Sequence, residues 1–162
     1  HIMRWSDKSS AVFFMRFFMR KKTIGKLSFG PTVDITDPCY DRDVWCRMNK
    51  VSIKQGSYTC VVWSEDGCVA IIGIYLDGKI PKQSAMKTIG EIGVDAGLAG
   101  FFFDKPDYDD AAWNNFCENL GNENAWITED GFFSSGGYGD GCYPVYSKQS
   151  KGENVALEIR FM

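Results

Sequence analysis

Tyr58-Thr59-Cys60-Val61-Val62-Trp63, Glu65-Asp66-Gly67 and Val69-Ala70-Ile71-Ile72-Gly73-Ile74-Tyr75-Leu76 follow one another with only Ser64 and Cys68 between them. The flanking runs are rich in β-branched and aromatic side chains, which pack well on a pleated surface and lose rotamer freedom in a helix. The central Glu-Asp-Gly supplies residues that tolerate the positive φ of a tight turn. Asp77-Gly78 repeats that signal directly after the second run. The stretch therefore predicts an antiparallel hairpin.

Working outward, the same reading recurs at short spacing. Towards the N-terminus, Lys26 to Phe29 and Thr32 to Thr36 read as strands around a Gly30-Pro31 turn. Pro38 ends the second, because it has no N–H and pushes Asp37 into an extended conformation. Asp41 to Met48 is a polar and aromatic connection, and Val51-Ser52-Ile53 alternates before the Gln55-Gly56 turn. Towards the C-terminus, Thr88 to Val94 and Leu98 to Phe103 read as strands, as do Ala125 to Ile127, Gly131 to Ser135 and Cys142 to Tyr146. Val155, Leu157, Ile159 and Phe161 alternate with Glu158 and Arg160, which predicts a final strand with one polar face. Only Asp109 to Leu120 carries a helical period, with Ala112, Trp113, Phe116, Cys117 and Leu120 on one face. Asp109 or Asp110 is its expected N-cap and Gly121 its C′ residue. The expected fold is mostly β (α+β): a meander of antiparallel sheets, as a sandwich or open barrel, with one helix near 109–120.

Composition agrees with one compact domain. The 162 residues are 44% hydrophobic and 24% charged, enough for a single core and too few for two ordinary domains. Residues 1–25 read as a basic, aromatic N-terminal arm, with His1-Ile2-Met3 as a tag remnant, ahead of a β-rich domain over 26–162. Residues 1–26 hold seven Lys and Arg against Asp7 alone, so the rest of the chain carries a net −9. An acidic body lacks the clustered cations that neutralise phosphates, which argues against nucleic-acid binding and fits a basic protein partner or plain solubility. The apolar run Ala11 to Met19 is broken by Arg16 and falls well short of the ~20 residues a membrane-crossing helix needs. It reads as a basic amphipathic helix on a membrane or a partner, or as a segment that packs on its own domain or frays.

If His1 is a cloning remnant, catalysis by Ser-His-Asp or Cys-His and zinc or iron ligation by histidine are excluded. The six cysteines show no C-x-x-C spacing and no convincing signal peptide precedes them. They read as reduced, mostly buried thiols of a cytoplasmic protein. Cys39 and Cys46 could supply two zinc ligands, but the other two are missing from the pattern.

Three segments join a carboxylate to backbone-special neighbours. They are Asp37-Pro38-Cys39-Tyr40, Gly93-Val94-Asp95-Ala96-Gly97-Leu98-Ala99-Gly100, and Ser134-Ser135-Gly136-Gly137-Tyr138-Gly139-Asp140-Gly141-Cys142-Tyr143-Pro144. Small residues let a ligand approach the backbone, and consecutive N–H groups can cradle an anion. Each Asp has a plainer reading, as a turn cap or bulge residue. A shared site would comprise Asp37, Cys39, Tyr40, Asp95, Gly97, Ser134, Ser135, Tyr138, Asp140, Cys142 and Tyr143. Cys39 and Cys142 would shape its pocket, and Tyr40, Tyr138 and Tyr143 would offer stacking faces.

The strings Ile92-Gly93-Val94-Asp95-Ala96-Gly97, Gly139-Asp140-Gly141-Cys142-Tyr143-Pro144-Val145-Tyr146 and Val155 to Phe161 resemble the bacterial domain-of-unknown-function 4241 family. Gly56-Ser57-Tyr58-Thr59-Cys60-Val61 matches the strand that such proteins carry before their V-D-A-G segment. The resemblance spans roughly residues 56–161, with gaps, and implies a small β-rich domain with no established activity. The D-P-C-Y segment and the basic arm have no counterpart in it.

Function is thus expected to be non-catalytic binding of a small polar ligand or a protein partner at the loop face, with no cofactor. A phage-type inhibitor or sequestering protein would fit. The alternative is a hydrolase in which Asp37, Asp95 and Asp140 hold a divalent cation that activates water. A cysteine nucleophile, Cys39 or Cys142, is a third option that lacks a histidine base. An acidic inhibitor acting through charge alone would show binding that weakens steeply with salt.

Overall fold

The computed structural model describes residues 18–161. The tag remnant and nearly all of the Ala11–Met19 run lie outside the described residues. Eleven strands and one α-helix follow in chain order among them. The strands are β1 (Arg20–Phe29), β2 (Thr32–Thr36), β3 (Met48–Ser52), β4 (Gly56–Glu65), β5 (Cys68–Leu76) and β6 (Lys87–Val94), then β7 (Leu98–Phe102). The helix is Asp110–Glu118, and β8 (Ala125–Thr128), β9 (Gly131–Ser135), β10 (Gly141–Ser150) and β11 (Glu153–Arg160) complete the chain.

The hairpin that anchors the sequence reading is β4–β5, paired from Tyr58↔Leu76 to Glu65↔Cys68, with Asp66 and Gly67 both at positive φ in the turn. It lies inside a six-stranded antiparallel sheet ordered β1-β4-β5-β11-β10-β6. A second antiparallel sheet runs β3-β2-β7-β9-β8. Neither sheet closes into a barrel. The meander expectation is corrected, because β11 returns from the end of the chain to separate β5 from β10. The Gly30-Pro31 turn is also not a hairpin: β1 pairs with β4 and β2 with β3 and β7, so the turn carries the chain from one sheet to the other. β1 begins at Arg20, so the boundary expected between residues 25 and 26 falls inside a strand, with Arg20, Lys21 and Lys22 in the sheet.

One buried cluster takes side chains from both sheets, including Val62, Ile72, Ile92 and Leu157 from the larger and Ile35, Phe101 and Phe132 from the smaller. The outer face of each sheet is covered as well. Ile80 and Met86, from the connection between β5 and β6, pack with Val61, Ile71 and Tyr75. Trp113, Phe116 and Leu120 of the helical segment lie against Phe102 and Phe133. This double burial explains the uninterrupted apolar run of β5.

It also corrects the reading of β11, whose Glu158 and Arg160 do not face water. Glu158 is fully buried, accepting from the Tyr75 hydroxyl at 2.6 Å and from Arg160 Nε at 3.0 Å. The Arg160 guanidinium lies 3.7 Å from the Tyr146 ring centroid, so the charge is both paired and stacked.

The helix is shorter than expected by one residue at its start and two at its end. Asp109 is its N-cap, the carboxylate accepting from Ala112 N at 2.8 Å, and Gly121 follows at φ +62°. Among the described residues no helix is long and apolar enough to cross a membrane. The cysteines are not mostly buried: Cys60 is, Cys39 and Cys46 are half-buried, and Cys68, Cys117 and Cys142 are exposed.

Candidate functional site

Asp37 follows the last residue of β2 and is fully buried. Its Oδ1 accepts from Cys39 N at 2.9 Å, and its Oδ2 accepts from Asp95 N at 2.9 Å and Ala96 N at 2.7 Å. Three backbone donors therefore converge on one carboxylate. The bonds run between segments 58 and 59 residues apart and tie the D-P-C-Y turn to the β6–β7 connection.

The third segment joins the same cluster through backbone pairing. Gly136 N donates to Gly97 O at 2.7 Å, Ser135 pairs with Leu98, and Gly141 pairs with Val94. Within it, Gly139 N donates to Gly136 O at 2.8 Å and the Tyr143 hydroxyl donates to Gly139 O at 2.7 Å, closing the glycine loop on itself. Gly137 has to be glycine here, because a Cβ would stand 2.3 Å from Val69 O. The three segments do meet.

They do not all present side chains to a ligand. Asp37 is spent on backbone donors and serves as a clasp. Ser134 is buried and its hydroxyl donates to Ser135 O at 3.0 Å. Tyr143 offers no stacking face, since its ring packs edge-on against Phe161 in the core at 5.1 Å. Cys39 is a poor nucleophile: burial, and next the Asp37 carboxylate, push its thiol up to about 12. Tyr40 is half-buried; burial and the Cys46 thiol raise its hydroxyl, and both groups lie against Gly93, where a Cβ would meet Cys46 Sγ at 2.7 Å and the Tyr40 hydroxyl at 3.3 Å. Gly97 turns the chain at φ +70°.

What remains outward is Asp95, Asp140, Cys142 and Tyr138, with Ser135 half-buried at the rim. The Gly141↔Val94 pair is the last of its ladder, and Asp140 and Asp95 are the first residues beyond it on their strands. Tyr138 is 53% exposed. A cation at Asp37 would have to displace three N–H donors, and among the described residues no three His, Cys, Asp or Glu side chains are grouped to hold one.

Sequence reading missed Trp45, which is 87% exposed in the connection between β2 and β3. That connection is braced. Arg42 N donates to Asp107 Oδ1 at 2.7 Å, and Arg42 Nη2 reaches Asp104 at 2.6 Å. Cys46 O accepts from Gly93 N at 2.8 Å, and Arg47 Nη1 donates to Tyr40 O at 2.8 Å. Beneath it Arg47 and Asp34 form a buried ion pair at 3.3 Å, and Lys105 is buried beside them with Nζ donating to Pro106 O at 2.6 Å. No composition or spacing signal marks an exposed tryptophan. The density of charge from Asp41 to Arg47 was the one available hint.

A cleft of about 820 Å³ opens at the start of β1, lined by Phe18, Arg20, Lys21, Lys22, Val62, Asn124 and the β4–β5 turn. It shares no residue with the three segments. No family model, curated protein or solved structure matches the chain.

Proposed function

We propose that the chain is a non-catalytic binding protein whose contact surface is the braced loop end, taking a basic protein partner. The observation that carries this reading is the clasp: Asp37 and the Gly136–Gly97 bond lock three distant segments together while leaving Asp95, Asp140 and Tyr138 outward. A surface fixed before binding loses little ordering entropy when a partner arrives. Two outward carboxylates and an exposed tyrosine on the joined segments suit a cationic surface, where the aromatic ring supplies contact area and the charges set orientation. In this reading the two sheets pack face to face as a β-sandwich and the loops cap one of its ends, where loop variation costs the core nothing.

A photo-crosslinking residue placed at Tyr138 tests it in cells expressing the full chain, with the same residue at Lys151, in the β10–β11 turn, as control. The expected result is one discrete protein adduct from position 138, absent from position 151 and abolished by D95A/D140A. Scattered adducts, or the same adducts from both positions, would overturn the reading.

A further inference from the structure

Two features on opposite edges of the six-stranded sheet flank the loop end. At the β6 edge, Trp45 projects from its braced connection with Asp41 and Asp43 exposed on the same loop. At the β1 edge, the cleft of about 820 Å³ carries three cations in succession. The register Arg20↔Ser64, Lys21↔Trp63 and Lys22↔Val62 sets Arg20 and Lys22 on the face of the buried Val62, with Lys21 on the other. Among the described residues none of these three cations sits in an ion pair.

The geometry points to head-to-tail self-association, in which Trp45 of one copy enters the β1 cleft of the next. Four observations carry it. Opposite charges can meet: the knob brings Asp41 and Asp43, and the socket offers Arg20 and Lys22 on one face. The socket has an apolar wall in Phe18, 70% exposed, and acceptors at its rim in Glu65 and Asp66, so an entering indole finds both a surface to cover and a partner for its N–H. Its volume exceeds that of an indole alone, leaving room for the flanking loop residues. The knob is held in place by the Arg42 and Cys46 contacts described above, so docking it orders little new chain. Tryptophan in such a position is the commonest kind of binding anchor.

Knob and socket sit on different edges, so the contact is heterologous. Each copy that docks leaves one free knob and one free socket, and assembly continues until a ring closes or a filament grows. Like-charged β1 strands, by contrast, repel one another edge to edge, which discourages pairing between two β1 strands.

The inference uses none of the residues proposed for the loop-end contact, and its test needs no second protein, so the two readings can fail separately. Sedimentation of the full chain tests it. At low salt the weight-average mass is expected to rise with concentration, and at high salt to fall to that of the monomer. Trp45→Ala keeps the socket but lacks the knob, and R20E/K22E keeps the knob but lacks the socket. Each alone is expected to stay monomeric with an unchanged melting temperature, R20A/K22A replacing the charge reversal should that unfold. An equimolar mixture of the two is expected to give dimers and nothing larger, because a single productive knob and a single productive socket remain. A wild-type chain that stays monomeric at low salt, a Trp45→Ala chain that assembles like wild type, or a mixture without dimers would each overturn the proposal.

Discussion

Asp37 shows how one residue can look functional and be structural. In sequence it is an acidic residue beside a proline and a cysteine, a plausible ligand group. In the fold its two oxygens accept from Cys39, Asp95 and Ala96 N–H groups. Hydrogen bonds to a charged acceptor contribute about 1.5–3 kcal/mol each, and burial without a partner costs each stranded donor. Asp37→Ala is therefore expected to destabilise the protein by about 3 kcal/mol or more, lowering the melting temperature by about 6–12 °C for a chain of this size. Thermal melts monitored by circular dichroism check this, and a change within about 2 °C would mean the clasp contributes little. Gly137 is the complementary case. Its glycine character was visible in the sequence, but the Val69 carbonyl that requires it lies in another strand and was not.

Among the elements, the helix and the β2–β3 connection differ in how their charged residues are used. Asp109 caps an exposed helix end, and its carboxylate bonds only Ala112 N. Asp34 is buried; it accepts from Lys50 N at 2.8 Å and pairs with Arg47, whose side chain is fully buried. Removing a cap costs about 1 kcal/mol, whereas orphaning a buried charge costs about 3–5 kcal/mol. Asp34→Ala is therefore expected to lower the urea midpoint several times more than Asp109→Ala, with Lys105 adding a second buried cation to the stranded Arg47. Equal losses in the two variants would show that Arg47 finds water or another acceptor. The cap was legible because N-capping is local, set within three residues. The Asp34–Arg47 pair was not, because the partners are thirteen residues apart and meet only after the connection folds back.

For the whole molecule, burial of neutral acids dictates the response to alkali. Burial pushes Cys60 and Tyr58 up to about 12, and burial with Asp37 does the same for Cys39. The unfolded chain releases these protons near the ordinary thiol and phenol values, while the folded chain holds them. Stability from these groups is thus complete below about pH 8 and falls as the pH rises towards about 12. Lys105 works the other way, since burial and then Arg47 lower its amine, but Tyr40 and Tyr108 are raised by burial too and add to the first three. The urea midpoint is expected to drop between about pH 8 and about pH 10.5, and Cys60→Ala to flatten that drop. A midpoint constant over this interval would contradict the burial of these groups. The sequence by itself determined the strands, the β4–β5 hairpin, the helix and its cap, because side-chain periodicity and turn chemistry act over a few neighbouring residues. Tertiary structure decided which strands share a sheet, that the polar face of β11 is buried, that Asp37 is a clasp and that Trp45 stands exposed. Those outcomes depend on what arrives from distant parts of the chain to cover or pair with a residue, and no local pattern records the arrival.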